Sequence, residues 1–269
     1  MAGLNNHTGE HGWRLGVVSF LNARPLIEGL AADRAISMIE AVPSRLPGLL
    51  EDGAVDAALV PVIDIARPGR RWKVVSDACI GSDGETLTVR IFSRERPESI
   101  RRLKVDGDSH TSVVLAKVLW RELYGLELEV EPIESGSLPG DCEAVLLIGD
   151  KVVTGRPRHL EIETDLGSVW KSLTSLPFVF AVWAAPLEME VSDLAPRLSR
   201  ARDLGVASAA MIAEDIGPGM GWPAELAKRY LTRRIKFTLG PRERKGMAKF
   251  FELASRYDLA TASEGMVFA

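Results

Sequence analysis

Short apolar segments alternate with segments of helical periodicity along this 269-residue chain. This alternation constrains the fold more than any other feature of the sequence. Residues 15–20 and 55–60 have the length and composition of buried strands, and residues 44–52 between them carry leucines at helical spacing. Gly53 follows that helix, at the position where a left-handed residue commonly ends one. The alternation predicts an α/β protein in which helices cover parallel strands.

The same reading extends to the rest of the chain. It predicts a helical turn at 62–66, a long amphipathic helix at 109–124, and strands at 72–76, 87–92, 103–105, 126–130, 144–148 and 178–185. A short helix is predicted at 25–31, and the end of the chain is mostly helical, with helices at 192–211, 223–231 and 241–257.

The layout predicts a two-lobed architecture. The character of the chain shifts near residues 93–97, where a new set of short strands begins. We expect the chain to cross between the lobes near 91–94 and again near 177–180. Lobe 1 would contain residues 14–92 and 179–269 and lobe 2 residues 93–178, with a ligand cleft between them. A single doubly wound domain is the alternative.

Composition and charge exclude several classes of function. The formal net charge is only −4, so no basic surface predicts binding to nucleic acid or to an anionic membrane. Cys79 and Cys142 are far apart and lack metal-ligand spacing, which indicates buried apolar residues rather than a disulfide or a zinc site. Residues 1–12 are polar and lack the apolar core of a signal peptide, so we expect a cytoplasmic protein.

Asn22 and Arg24 follow the first predicted strand, in the segment Ser-Phe-Leu-Asn-Ala-Arg-Pro at 19–25. Ligands of open α/β sheets bind just beyond the carboxyl ends of strands. An amide and a guanidinium at that place can hold a small polar anion. The alternative is an ordinary turn, with Asn22 as a helix N-cap and Pro25 in the first helical turn.

Hydroxyl groups are concentrated in two further segments. Ser82, Asp83 and Gly84 precede a strand and are either a plain turn or part of the ligand site. Thr86 and Thr88 come next at alternating positions, so their side chains share one face of that strand.

The start of the long helix forms the second of these segments. Ser109, Thr111 and Ser112, together with the unpaired N–H groups of the helix, predict an anion pocket, with simple capping as the alternative. His110 is the histidine best placed for acid–base chemistry, although exposure at a helix start is the commoner situation. Asp150 ends the strand at 144–148 and either caps the next element or faces the cleft.

The motifs of several enzyme classes are missing from the sequence. It contains no dinucleotide fingerprint, no phosphate-binding P-loop, no nucleophile elbow and no cluster with metal-ligand spacing. If the protein is an enzyme, we expect it to work without a nucleotide, a metal or an obvious covalent nucleophile.

Taken in order, several segments resemble the chorismate dehydratases of menaquinone biosynthesis by the futalosine route. The resemblance covers residues 14–185 and is carried by Ser-Phe-Leu-Asn-Ala-Arg-Pro at 19–25, Ser-Asp-Gly at 82–84, Thr-Ser at 111–112, Ile-Gly-Asp at 148–150, Asp-Leu-Gly-Ser-Val-Trp-Lys at 165–171 and Leu-Pro-Phe-Val-Phe-Ala-Val-Trp at 176–183. The resemblance implies a periplasmic-binding-protein-like fold of the second type, with two lobes.

It also implies a cytoplasmic lyase, free of metal and cofactor, that dehydrates chorismate to 3-[(1-carboxyvinyl)oxy]benzoate. Asn22 corresponds to the catalytic cleft asparagine of that family, and Thr88 stands where the family has a catalytic serine. The other candidate substrate-binding residues are Arg24, Ser82, Asp83, Gly84, Ser109, Thr111, Ser112 and Asp150. Because no side chain stands out as a base, the hypothesis is that the enolpyruvyl carboxylate of the substrate removes the proton.

Two other functions remain open on the sequence. A solute-binding protein for a small carboxylate ligand would share the fold but requires export. An enzyme of the same pathway that acts on a futalosine-derived nucleoside would carry a Ser-Pro-Cys-Pro-Asn-Asp type of run near the first strand, which is missing here. The expected partner is a small molecule, with no nucleic acid and no membrane, and the oligomeric state is left open.

Overall fold

The computed structural model describes residues 12–133, 142–260 and 267–269. Strands in these ranges are β1 (Trp13–Val18), β2 (Ile36–Ala41), β3 (Ala57–Pro61), β4 (Trp72–Ser82), β5 (Val89–Ser93), β6 (Arg102–Val105), β7 (Glu129–Pro132), β8 (Ala144–Ile148), β9 (Ile162–Asp165), β10 (Phe178–Pro186), β11 (Ile235–Thr238) and β12 (Val267–Phe268). The α-helices are α1 (Leu46–Glu51), α2 (His110–Tyr124), α3 (Lys151–Thr154), α4 (Leu166–Thr174), α5 (Leu194–Ala207), α6 (Ala209–Ile216), α7 (Ala224–Arg229) and α8 (Pro241–Arg256). No helix among the described residues is both long and apolar enough to cross a membrane.

The larger sheet is mixed. Its strand order is β11-β4-β10-β3-β1-β2, and β12 pairs with β4. Strand β1 runs parallel to β2 and β3, whereas β10 runs antiparallel to both β3 and β4. All of β3 and nearly all of β10 are buried, which explains why both read as continuous apolar runs.

The smaller sheet has the order β7-β6-β8-β5-β9. Strand β6 is parallel to β7 and β8, and β5 is antiparallel to β8 and β9. Because β5 belongs to this sheet, the chain leaves the larger sheet between Ser82 and Val89, a few residues before the predicted place. It returns between Thr174 and Phe178.

Asp165 stabilises the segment between Ser82 and Val89, where the chain first passes from the larger to the smaller sheet (the first crossing). Its carboxylate accepts hydrogen bonds from the backbone N–H groups of Thr86 at 3.0 Å and Leu87 at 2.8 Å. The same carboxylate caps α4 by accepting from the N–H of Ser168 at 3.0 Å. The Asp165 side chain therefore accepts hydrogen bonds from the backbone of two segments. One is a strained turn, in which Leu87 has a positive φ of 69°, and the other is the first turn of α4.

Most predicted elements are present, and the main differences concern two helices and the shortest strands. The helix predicted at 25–31 is replaced by two 3₁₀ turns, Leu21–Leu26 and Leu30–Ala32. The helix predicted at 192–211 is divided between α5 and α6. Strands β2, β9, β11 and β12 were not predicted; these strands are six residues long or shorter.

Helix α5 packs directly on the turn that carries Asn22. A Cβ atom added at Gly205 of α5 would collide with the backbone carbonyl of Pro25, in the Leu21–Leu26 turn. The absence of a side chain at Gly205 therefore allows helix and turn to approach closely.

We expect Gly205→Ala to lower the free energy of unfolding by about 1–3 kcal/mol, because the helix and the turn must separate to make room for a methyl group. Gly48→Ala is the matched control, since a Cβ at Gly48 meets no atom within 4 Å. This control should leave stability unchanged or raise it by up to about 1 kcal/mol through helix propensity. Urea unfolding followed by circular dichroism measures both, and equal effects of the two variants would contradict the packing argument.

Candidate functional site

A cavity of about 470 Å³ is lined by residues of both sheets. The larger sheet and the turns at its strand ends contribute Val18, Phe20, Asn22, Pro43, Pro61, Ile80, Phe180, Ala181 and Ile235. The smaller sheet, the first crossing and the start of α2 contribute Thr86, Thr88, Val89, Ser109, Ser112, Ile148 and Gly149.

Asn22 lies directly after β1, inside the Leu21–Leu26 turn. Its neighbours Leu21 and Ala23 are fully buried, so the turn is anchored in the core and presents Asn22 to the cavity. Phe20, and not Asn22, occupies the N-cap position of the turn, so the alternative of Asn22 as an N-cap is wrong. The Oδ1 atom of Asn22 is buried and has no hydrogen-bond partner among the described residues.

Thr88 is paired with a residue that the sequence reasoning missed. Its Oγ1 lies 2.7 Å from the hydroxyl of Tyr230, and the exposed fraction of each residue is 1%. Burial raises the pKa of Tyr230, while the hydrogen bond with Thr88 and the neighbouring amide of Asn22 oppose that rise. Tyr230 is therefore a neutral phenol that is hydrogen bonded to Thr88.

Thr86 lines the cavity on the same segment as Thr88. Its residue is 1% exposed, and its hydroxyl has no hydrogen-bond partner in the described part of the chain. A buried hydroxyl without a partner is unfavourable, so a polar ligand atom in the cavity would stabilise this group.

The start of α2 contributes two serines. Ser109 is the N-cap, and its Oγ accepts from the backbone N–H of Ser112 at 3.2 Å. The two serine hydroxyls are 3.0 Å apart, and both line the cavity. The first turn of α2 holds no acidic residue, so its positive dipole end is available to an anion.

Two of the other predicted site residues, Arg24 and Thr111, form side-chain hydrogen bonds within the protein. Arg24 forms a two-pronged ion pair with Glu40, with both N–O distances 2.7 Å. The hydroxyl of Thr111 donates to the carbonyl of Phe180 at 3.2 Å and accepts from the N–H of Ile63 at 3.3 Å. Both side chains therefore make contacts within the protein, and neither lines the cavity.

The Ser82-Asp83-Gly84 segment stabilises the first crossing through hydrogen bonds and ion pairs. The hydroxyl of Ser82 donates to the carbonyl of Gly84 at 3.2 Å. Asp83 accepts from Lys171 at 2.6 Å and from Arg242 at 3.0 Å, and these cations lower the pKa of its carboxyl. None of the three residues is among those that line the cavity.

Asp150 connects the smaller sheet to the turn that holds Asn22. Its carboxylate accepts from the backbone N–H of Leu21 at 3.3 Å and from the indole N–H of Trp222 at 2.9 Å. Desolvation raises the pKa of Asp150, and the two hydrogen bonds act against that rise. Gly149, with a φ of +60°, lets the ring of Phe20 approach where a Cβ would collide, so the strand end packs closely against β1.

His110 is not among the residues that line the cavity, and its side chain is paired with Asp64. Its Nδ1 lies 2.8 Å from Asp64 Oδ2, and the same buried carboxylate pairs with Arg67 and Arg70. The described residues contain no group of three His, Cys, Asp or Glu side chains that could hold a metal ion.

Sequence reasoning missed Tyr230, the partner of Thr88, and several residues of the cavity wall, Ile235 among them. The residues 223–231 were predicted as an ordinary helix, but the helix changes at Tyr230 into a π-helical segment, Tyr230–Arg234. Strand β11 begins immediately afterwards and places Ile235 in the cavity wall. A single tyrosine in an amphipathic helix carries no signal that separates it from a core residue.

A model of the menaquinone biosynthesis family matches residues 13–256. The chain belongs to the menaquinone biosynthesis family. This match includes every residue that lines the cavity.

A related protein, the chorismate dehydratase of Thermus thermophilus, is 29% identical over 256 residues. The matched region covers 88% of this chain and 93% of the relative. A protein of Archaeoglobus fulgidus solved by X-ray crystallography superposes with a TM-score of 0.74 at 16% identity, covering 94% of this chain and all of that one. A Candida albicans gene product with the generic periplasmic binding protein fold gives a TM-score of 0.65 at 14% identity, over 95% and 92% of the two chains. The chain therefore has the two-sheet fold of periplasmic binding proteins, as predicted.

The two threonines of the site should respond in opposite ways to valine, which has nearly the same shape. Thr88→Val leaves the buried hydroxyl of Tyr230 without this partner and should lower the free energy of unfolding by about 1–3 kcal/mol. Thr86→Val removes a hydroxyl that has no partner in the described structure and should leave stability unchanged or raise it. Denaturant unfolding of the ligand-free protein measures both effects. A larger loss for Thr86→Val than for Thr88→Val would contradict the hydrogen-bond assignment.

Proposed function

We propose that this protein is a chorismate dehydratase of menaquinone biosynthesis, which removes water from chorismate to form 3-[(1-carboxyvinyl)oxy]benzoate. The observation that carries the proposal is the cavity whose wall contains both Asn22 and Thr88, with Thr88 hydrogen bonded to the buried Tyr230. Family membership and the identity with the Thermus thermophilus enzyme support the same reaction.

The cavity suits a small ring that carries polar groups. Apolar side chains such as Ile80, Ile148 and Phe180 offer surfaces to a six-membered ring. The hydroxyls of Ser109 and Ser112, at the positive end of α2, hold a carboxylate of the substrate. Chorismate combines these features, since its ring carries one carboxylate, one hydroxyl and an enolpyruvyl ether with a second carboxylate.

The reaction needs little from the protein beyond orientation. The carbon that carries the enolpyruvyl ether loses a proton, and the neighbouring carbon loses its hydroxyl group as water. The ring becomes aromatic, which supplies a large driving force. The protein accelerates such an elimination by holding the proton acceptor and the leaving group in line with the ring.

The proton goes to the enolpyruvyl carboxylate of the substrate itself, and the carboxylic acid so formed passes it to the departing hydroxyl group, which leaves as water and regenerates the carboxylate. Among the described residues that line the cavity, the polar side chains are one amide and four hydroxyls, of Asn22, Thr86, Thr88, Ser109 and Ser112. None of these groups is a base near neutral pH. The substrate carboxylate is then the base within reach, and Asn22 and Thr88 fix its position relative to the ring.

Arg24, Asp83 and Asp150 hold elements of the protein in place and do not contact the substrate directly. Arg24 and Asp83 hold their elements by ion pairs with Glu40 and Lys171. Asp150 ties the turn of Asn22 to the smaller sheet. We further propose that the two sheets are the cores of two lobes with the site between them, and that the enzyme works in the cytoplasm on a small-molecule substrate.

Two alternatives are less well supported. A solute-binding protein with the same fold would bind a carboxylate ligand without changing it, and the family match favours a biosynthetic enzyme. An enzyme acting on a futalosine-derived nucleoside is disfavoured by the identity with a chorismate dehydratase over 88% of the chain.

Incubation of the purified protein with chorismate should give an ultraviolet change as the ring becomes aromatic. Asn22→Ala should lower kcat/KM by about a hundredfold or more, as loss of an oriented polar group at a reacting centre does. Thr88→Ser keeps the hydroxyl and should stay within about threefold, whereas Thr88→Val should lose about tenfold or more. Tight binding of chorismate without turnover would instead indicate a carrier, and full activity of Asn22→Ala would exclude its catalytic role.

We expect kcat/KM to be independent of pH between about pH 6.5 and 9. The carboxylates of the substrate have pKa values of about 4 and stay ionised throughout this range. Because burial raises the pKa of Tyr230 above its ordinary value of about 10, its hydroxyl stays neutral up to the alkaline limit. A loss of rate on acidification through about pH 6.5 would indicate a histidine base and would contradict the substrate-carboxylate hypothesis.

A further inference from the structure

We propose that Thr86 is a further catalytic residue of this site, which donates a hydrogen bond to the hydroxyl group that chorismate loses. The inference rests on the proposed function, because only a dehydration makes that hydroxyl a leaving group. Thr86 then has a partner in the substrate that the product no longer carries.

Thr86 differs from the other hydroxyl residues of the described wall in having no partner. Thr88 is hydrogen bonded to Tyr230, and Ser109 and Ser112 are hydrogen bonded to each other. The Oγ1 atom of Thr86 is buried and has no hydrogen-bond partner among the described residues, although the residue lines the cavity. Thr86 is therefore the hydroxyl of the described wall that depends on a ligand for its hydrogen bond.

The backbone and the methyl group of Thr86 are both held by the start of α4. Its N–H donates to the carboxylate of Asp165 at 3.0 Å, and a Cβ atom added at Gly167 would lie 3.1 Å from its methyl carbon. Threonine is branched at Cβ and has few rotamers, so these contacts also fix the position of the hydroxyl oxygen. A group that is already in position loses little conformational freedom when a ligand binds.

The polar groups of chorismate and of the described wall can be matched one by one. In the proposed reaction the start of α2 holds the ring carboxylate, and Asn22 and Thr88 position the enolpyruvyl carboxylate. The hydroxyl is the polar group of the substrate that remains. Thr86 is the polar residue of the described wall that remains, and its free hydrogen can be donated to that hydroxyl oxygen.

A hydrogen-bond donor at this oxygen favours the elimination. Negative charge develops on the oxygen as its bond to the ring carbon breaks, and a donor that is already in place stabilises this charge. Thr86 keeps its own proton throughout. The proton removed from the ring reaches the departing oxygen through the enolpyruvyl carboxylic acid, so water leaves, and Thr86 and the carboxylate end unchanged.

Thr86→Val and Thr86→Ser test the assignment by steady-state turnover of chorismate. Valine keeps the shape of the side chain without the hydroxyl, and serine keeps the hydroxyl without the methyl group. Thr86→Val should lower kcat/KM by about tenfold or more, whereas Thr86→Ser should stay within about threefold. Full activity of Thr86→Val overturns the proposal.

Thr238→Val is the matched control for the loss of a threonine hydroxyl. Thr238 accepts a hydrogen bond from Arg202 at 3.3 Å and is not among the residues that line the cavity. Its replacement should leave kcat/KM within about twofold of the unmodified protein. A loss in Thr238→Val as large as that in Thr86→Val would overturn the proposal, because the effect would then not depend on the cavity.

Binding of the product 3-[(1-carboxyvinyl)oxy]benzoate identifies the oxygen that Thr86 contacts. The product has both carboxylates but no longer has the hydroxyl. Isothermal titration calorimetry should therefore give Kd values within about twofold of each other for Thr86→Val and the unmodified protein. A loss of product affinity as large as the loss in kcat/KM would mean that Thr86 holds a carboxylate, and it would overturn the proposal.

Unfolding of the same variants separates a contact with the ligand from a structural role. Because the hydroxyl has no partner in the described structure, Thr86→Val should be at least as stable as the unmodified protein while it loses activity. Destabilisation of Thr86→Val would show that the hydroxyl is bonded within the protein, against the proposal. Failure of the unmodified protein to turn over chorismate would instead reject the proposed function, and with it the leaving hydroxyl as the partner of Thr86.

Discussion

The hydrogen bond between Thr88 and Tyr230 joins the two sheets at the centre of the site. Thr88 directly precedes β5 of the smaller sheet, and Tyr230 begins the π-helical segment that leads into β11, a partner of β4 in the larger one. Both hydroxyls are almost completely buried, so separating them would leave two polar groups without this partner, at about 1–3 kcal/mol each. The position of β5, the π-helical segment and the cavity wall all depend on this contact.

Charged side chains near the cavity are paired with opposite charges and do not form part of its described wall. Arg24 is bound to Glu40, and Asp83 lies between Lys171 and Arg242. The described wall is left with apolar surfaces, hydroxyls, one amide and the start of α2. In the reaction we propose, such a wall binds the anion through dipoles and leaves the substrate carboxylate free to accept a proton, which a neighbouring arginine would hinder by stabilising its charged form.

The fold could be predicted from the sequence wherever apolar periodicity was strong. Strand β8 has the predicted bounds, and α2 begins after its predicted cap Ser109 and ends at Gly125. Short strands such as β11 carry too few residues for a period to be recognised. The first crossing was placed too late because the run at 87–92 resembles one strand, whereas Asp165 holds its first residues in a turn.

The candidate site could be predicted only in part. Asn22, Thr88, Ser109 and Ser112 line one cavity, and the sequence could group them because strand ends and helix starts meet at the edges of α/β sheets. Arg24 and Thr111 had the right chemistry, but local sequence does not show that Glu40 and Phe180 lie within reach. Tyr230 was missed because its partner Thr88 is 142 residues away in sequence.

A crystal structure of the protein with the product 3-[(1-carboxyvinyl)oxy]benzoate tests the central claim most directly. The account predicts that the benzoate ring lies against Ile80, Ile148 and Phe180, with its enolpyruvyl carboxylate within hydrogen-bond distance of Thr88 and its ring carboxylate at the start of α2. A product bound elsewhere, or one whose carboxylates pair with Arg24 in place of Glu40, would contradict it.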